Sequence, residues 1–172
     1  MTLGIDQAIA EFLSSPPGGL PSFGGLYDDA DPANRIIFVA ERPPIPTDDP
    51  ADPGFPSDHE TTADLAIVVV ADGGGAPQLG IGETTSLNIE VRHPLYETCI
   101  ATQRAIFELL QENGGQSNGA NPLAQGLFRG IKIWRITADS APTLLGRDDT
   151  NGDGRYGTTQ AFTVRSKPIV FS

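Results

Sequence analysis

Cysteine is nearly absent: Cys99 is the only one in 172 residues. No disulfide can form within the chain, so packing alone must hold the fold. Histidine is scarce as well, and His59 and His93 stand in unlike contexts that make no metal site. No apolar run is long enough to span a bilayer. The first helix-like segment, Leu3–Leu13, contains Asp6 and Glu11 and lacks a basic leader, which argues against a signal peptide and for a protein made in a cytosol. Positive charge is in short supply too. Eleven Lys and Arg face 22 Asp and Glu, for a net charge of −11. Such a surface repels phosphate and anionic lipid, which argues against conventional nucleic-acid binding and against a membrane role.

Glycine (20) and proline (15) are plentiful and signal many turns and at least one long loop. Residues 2–13 read as a short amphipathic helix with Leu3, Ile5, Ile9, Phe12 and Leu13 near one face, ended by Pro16-Pro17-Gly18-Gly19. Arg35–Glu41 reads as a strand whose four consecutive large apolar residues suggest burial on both faces. The Pro- and Asp-rich stretch 43–60 cannot bury enough apolar area to offset its ordering entropy and reads as an exposed insertion. Leu65–Ala71 is β-branched and apolar throughout, the pattern of a central strand. Thr85–Arg92 alternates Leu87, Ile89 and Val91 with Asn88, Glu90 and Arg92, the pattern of a strand with one wet face.

Pro94 opens a helix that runs to about Glu112. Leu95, Cys99, Ile106 and Leu110, joined by Tyr96, Ile100, Phe107 and Leu109, mark its packed side. Glu97, Gln103, Arg104, Glu108 and Gln111 mark its wet side. After a flexible break at Gly114–Gly119, strand character resumes over Gly126–Ala138, where Ile131 and Ile133 oppose Lys132, Trp134 and Ile136. Pro142–Leu145 is a short extended piece, Asp148–Gly154 a turn, and Thr158–Arg165 the last strand, with Phe162 and Val164 on one face.

Few residues offer chemistry. Asp72-Gly73-Gly74-Gly75 follows a strand as a phosphate loop would, but no Lys-Ser/Thr pair follows it. Asp149-Thr150-Asn151-Gly152-Asp153-Gly154 opens like a calcium loop, yet Gln160 stands where a bidentate carboxylate is needed, and Asn, Gly and Asp are also what a tight hairpin turn requires. The turn is the preferred reading, with a weak cation site at Asp149, Asn151 and Asp153 left open. Asp28/Asp29, Asp48/Asp49 and Asp148/Asp149 sit in loop-like sequence without the closed pocket that acid–base work needs. Cys99 lies on the packed side of a helix, where a small buried hydrophobe is the simpler reading than a nucleophile. Basic residues (Arg92, Arg104, Arg129, Lys132, Arg135) look scattered, without interleaved aromatics forming a patch. The elements add up to a single acidic domain of the α/β (α+β) class. No catalytic, cofactor or metal residue can be assigned, and an enzyme is not expected.

The order of segments resembles that of the tail terminator proteins of long-tailed bacteriophages. LAIVVVADGGG (65–75), NIEVR (88–92), HPLYETCIATQRAIFELLQ (93–111), IKIWRI (131–136) and the closing run from Asp149 to Val164 carry the resemblance, which covers roughly residues 62–166. The matching positions are Asp72–Gly74, Arg92, Tyr96, the small residues Cys99, Ala101 and Ala105, and Gly154, Tyr156 and Phe162. The insertion at 43–60 is longer than usual for that family, and His93-Pro94 replaces the glycine that often follows the strand-ending arginine. The resemblance implies a mixed, largely antiparallel central sheet with flanking helices. It further implies a homo-oligomer, a hexameric ring in the virion at the head-proximal end of the tail tube, assembled in the host cytoplasm. That ring would end tube growth and join the tail tube protein to the head–tail connector protein, and DNA would pass through it without specific binding. The Trp134 strand and Thr158–Arg165 are the candidate contact segments. A head-completion or adaptor protein of the same neck, an extracellular calcium-binding module and a small hydrolase are the rival readings.

Overall fold

A computed structural model describes residues 4–40, 61, 63–74, 82–114, 122–148 and 154–168. The insertion at 43–60, residues 115–119 of the expected break at Gly114–Gly119 and the calcium-like residues Asp149, Asn151 and Asp153 lie outside the described residues.

The chain begins with helix α1 (Ile5–Ser14), whose apolar residues Ile5, Ala8, Ile9, Phe12 and Leu13 are all buried. Pro16 follows after the capping residue Ser15, and a helix cannot run on into a residue whose ring sets φ and which lacks an amide hydrogen. The short strand β1 (Gly25–Leu26) and a 3-10 turn at Pro32–Asn34 lead into β2 (Arg35–Val39). Then come β3 (Ala66–Gly74), β4 (Glu83–His93) and helix α2 (Tyr96–Gly114). Strands β5 (Ile131–Ala138), β6 (Thr143–Asp148) and β7 (Arg155–Pro168) complete the chain.

The strands form one mixed sheet in the order β1-β2-β3-β4-β7-β5, with β6 also paired to β7. The β1–β2 and β2–β3 ladders are parallel and the rest antiparallel. The expected α+β class with a largely antiparallel sheet is what the structure shows. Both helices contribute to a single core on one face. Ile9, Phe12 and Leu13 of α1 and Ile106, Leu109 and Leu110 of α2 pack with Ile37, Ile67, Val69, Leu87, Ile89, Phe162 and Val164 of the sheet. Each of these side chains, fully removed from water, contributes about 1.5–3 kcal/mol. A smaller cluster of Phe38, Ala66 and Val68 lies apart from that core. Strands β2 and β3 are thus buried on both sides, as their unbroken apolar runs imply.

Three expectations need correction. First, β6 is a true strand where only a short extended piece was expected. It pairs with the first half of β7, from Thr143↔Thr159 to Asp148↔Arg155, while β5 pairs with the second half. Second, Ile136 does not share a face with Trp134. A bulge between Ile133 and Arg135 inserts one residue, which returns Ile136 to the buried side with Ile131 and Ile133. Third, the packed side of α2 is rotated from the expected one. Cys99, Gln103, Ile106 and Leu110 form its buried stripe at the i, i+4, i+7, i+11 spacing of a helix, while Leu95 and Tyr96 are exposed and Phe107 is half-buried. In the core, the Thr158 hydroxyl donates to the Gln103 Oε1 at 3.1 Å, while the buried Gln103 Nε2 has no partner among the described residues.

Candidate interaction surface

Alternation along β4, β5 and β7 sends Leu87, Ile89, Ile133, Ile136, Phe162 and Val164 into the helix-covered core. The same alternation sends Lys132, Arg165 and Lys167 to the opposite face, where all three are exposed. The bulge in β5 adds to that face. Trp134 and Arg135 are both placed against Arg165, Arg135 exposed and Trp134 half-buried. In the ladder Lys132 faces Lys167 and Arg135 faces Arg165. Basic residues that look scattered in the sequence therefore form a patch with an aromatic residue among them, contrary to the sequence-based expectation. The missing signal was the pairing register, which joins residues some thirty positions apart.

Trp134 has a definite seat. Gly82, at φ +90°, lies beside its ring, and a Cβ at that position would come within 2.7 Å of the Trp134 ring carbon Cη2. Only glycine leaves the ring its place there. Among the described residues no carboxylate pairs with Lys132, Arg135, Arg165 or Lys167. Asp139, which follows β5, accepts instead from the Thr163 hydroxyl on its two carboxylate oxygens at 2.9 and 2.8 Å.

The opposite end of the sheet carries the other sign. In the connection from β1 to β2, Asp28 and Asp31 are exposed and Asp29 is half-buried, with Arg35 beside them donating its Nε–H to the Asp29 carbonyl at 2.7 Å; Asp64 is exposed just before β3. The loop is held by its own side chains. Asp29 Oδ1 accepts from the Asp31 amide, Asp31 Oδ1 caps the 3-10 turn through the Ala33 amide, and the Thr61 hydroxyl donates to the Arg35 carbonyl at 2.6 Å.

A third exposed region surrounds the start of β7. Tyr96 meets Tyr156 edge-on with ring centroids 5.9 Å apart, and the Arg147 guanidinium lies 6.0 Å from the centre of the Tyr156 ring. Leu95, Leu144 and Leu145 are exposed. Strand β7, which holds the candidate contact segment Thr158–Arg165, lies inside the sheet between β4 on one side and β5 with β6 on the other, so it offers a face and not an edge. The edges are β1 at one end and β5 with β6 at the other.

The remaining chemical candidates resolve locally. Cys99 is fully buried and donates its S–H to the Tyr156 carbonyl at 3.3 Å. Its sulfur lies near the backbone oxygen of His93, while the His93 ring accepts the Leu95 amide through Nδ1 at the entry to α2. Burial pushes the thiol pKa up, outweighing the lowering effects of the His93 backbone and the Arg92 charge. That is the opposite of what a nucleophile needs. Arg92 itself is buried and paired with Glu90. Gln160, the last position of the calcium-like segment, is a buried β7 residue whose Nε2 donates to the Ser140 carbonyl at 3.0 Å. Among the described residues no group of three or more His, Cys, Asp or Glu is placed to hold a metal ion, and no helix is long and apolar enough to cross a membrane. A scan against protein-family models and a search of curated proteins find no match to this chain.

Proposed function

We propose that this chain is a structural subunit of a long-tailed bacteriophage. It caps the head-proximal end of the tail tube, ends tube growth and joins the tail to the head connector, most simply as a hexameric ring. The observation that carries the reading is that the segments resembling tail terminators are contiguous in space. Strands β3, β4 and β7 are successive neighbours in the sheet, β5 flanks β7, and α2 packs on β4, β5 and β7. The segments that carry the resemblance thus form one connected part of this fold. The described surface also offers charged and apolar patches for contact rather than a grouped set of reactive side chains, as expected of a protein that acts by assembly. A net charge of −11 suits a conduit that DNA must traverse without sticking. The tail tube protein and the connector protein are the expected neighbours.

Deleting the gene from its phage tests this. Electron microscopy should show filled heads without tails, beside tubes of uncontrolled length. Tails of normal length with only head closure failing would transfer the assignment to an adaptor of the neck. In a gel-shift assay at physiological salt the purified protein should not retain duplex DNA, because the acidic bulk of the molecule opposes the few phosphates that four cations can neutralise.

A further inference from the structure

Charge is segregated along this chain. From Asp28 to Asp64 the sequence carries ten Asp and Glu against two Arg; from Arg129 to Lys167 it carries seven Lys and Arg against four Asp. Of the first stretch the described acids are Asp28, Asp29 and Asp31, in the connection from β1 to β2, and Asp64, just before β3; the second stretch holds the cations Lys132, Arg135, Arg165 and Lys167 of β5 and β7. Strands β3 and β4 separate them. Five strand spacings from β1 to β5 amount to about 24 Å, three times the Debye length of about 8 Å at physiological ionic strength. The Asp28–Asp31 loop and the outer face of β5 and β7 are therefore screened from each other within one molecule, while Arg155 at the start of β7 reaches across to the Ala63 carbonyl at 3.0 Å.

The basic end is built in a way that isolated folding does not favour. Lys132 against Lys167 and Arg135 against Arg165 are directly opposed like charges, an arrangement that destabilises an antiparallel ladder. All four are exposed, and among the described residues none is matched by a carboxylate. Trp134 lies among them, half-exposed on the same face and fixed beside Gly82. An aromatic ring framed by unmatched cations is suited to an acidic partner surface. The remainder of the chain holds 22 acidic residues and only seven other basic ones, so a second copy has the charge to offer such a surface.

We propose that the outer face of β5 and β7, formed by Lys132, Trp134, Arg135, Arg165 and Lys167, docks onto the acidic β1–β2 edge of a second copy, at Asp28, Asp29 and Asp31. The two surfaces differ, so the contact is head-to-tail. Each copy that gives one surface leaves the other open, and the contact repeats until a ring closes or a filament grows. This pairing does not depend on the phage reading. It could hold in a protein with another role, and its failure would leave the deletion phenotype to decide that reading separately.

Sedimentation velocity at about 0.1 M salt tests it, because a Debye length of about 10 Å there damps whole-molecule repulsion but not pairs in contact. Wild type should form larger species as concentration rises to about 100 µM, dissociating in 1 M salt, where about 3 Å of screening reaches even close pairs. Lys132→Glu with Arg165→Glu, and separately Asp28→Lys with Asp31→Lys, should each weaken self-association at least tenfold. An equimolar mixture of the two variants should recover it, since every face again meets its opposite charge. Thermal melts check that both variants fold, and the first should melt no lower than wild type. Trp134 is the sole tryptophan, and its emission should change with concentration only where association occurs. A wild type that stays monomeric throughout, or a mixture that fails to recover association when both variants fold, overturns the proposal. So does a 20-mer oligo(dT) that quenches Trp134 at concentrations where the protein alone does not associate. That result would make the face a single-stranded nucleic-acid site.

Discussion

Lys132 and Lys167 stand opposite each other across the β5–β7 ladder, both exposed. Replacing one by an acid turns a repulsive cross-strand pair into an attractive one. Lys167→Glu should therefore stabilise the isolated protein by about 0.2–1 kcal/mol, read as a higher denaturation midpoint with an unchanged m-value. A loss of stability would mean that Lys167 supports the fold through its stem rather than opposing it through its charge.

Helix α2 offers a comparison between adjacent residues. Leu110 is fully buried in the main core, whereas Phe107 only packs against its margin. Leu110→Ala should cost about 2–5 kcal/mol. Phe107→Ala removes a larger side chain but one that already meets water, and should cost about 1–2 kcal/mol. Urea denaturation of the two variants checks the order, and the reverse order would mean that the helix is rotated from the orientation described.

Cys99 should be inert while the protein is folded. Its thiol is buried and its pKa is raised above the ordinary value of 9.0, so Ellman's reagent at pH 8 should label it only after denaturant is added. The pH dependence follows in sign. The folded state holds this proton more tightly than the unfolded chain, so the associated stability is complete below the unfolded thiol's pKa and is lost as pH rises through the folded one. The stability difference between wild type and Cys99→Ala should accordingly narrow as pH climbs past 9.0. A difference that widens with pH would contradict the direction of the shift.

Calcium should have little effect. Gln160 is committed to the interior of β7 and to the Ser140 carbonyl, and the chain from Arg155 onward is a strand rather than the helix that follows a helix–loop–helix calcium site. Calorimetric titration at micromolar calcium should show no saturable heat. A clear isotherm would require ligands other than Gln160 and would restore the cation reading of Asp149, Asn151 and Asp153.

Much of the architecture can be read without the fold, because it follows from local patterns. The β-branched run through Val68–Val70, the alternation of Leu87, Ile89 and Val91, and the apolar spacing of Ile5, Ile9 and Phe12 each specify an element by the period of its buried side chains. The acidic balance and the lone cysteine follow from counting alone. What local pattern could not decide was register and rotation. Gln103, on α2, looks like a surface residue until the Thr158 hydroxyl arrives from β7 and donates to its Oε1 in the core. Ile136 changes faces because one bulge shifts the period by a residue. The basic patch is the clearest case. Lys132 and Lys167, or Arg135 and Arg165, become neighbours only when β5 pairs with β7. Strand pairing is a contact between distant segments, and its register is selected by the side chains that all the paired strands must bury together rather than by any one segment's sequence.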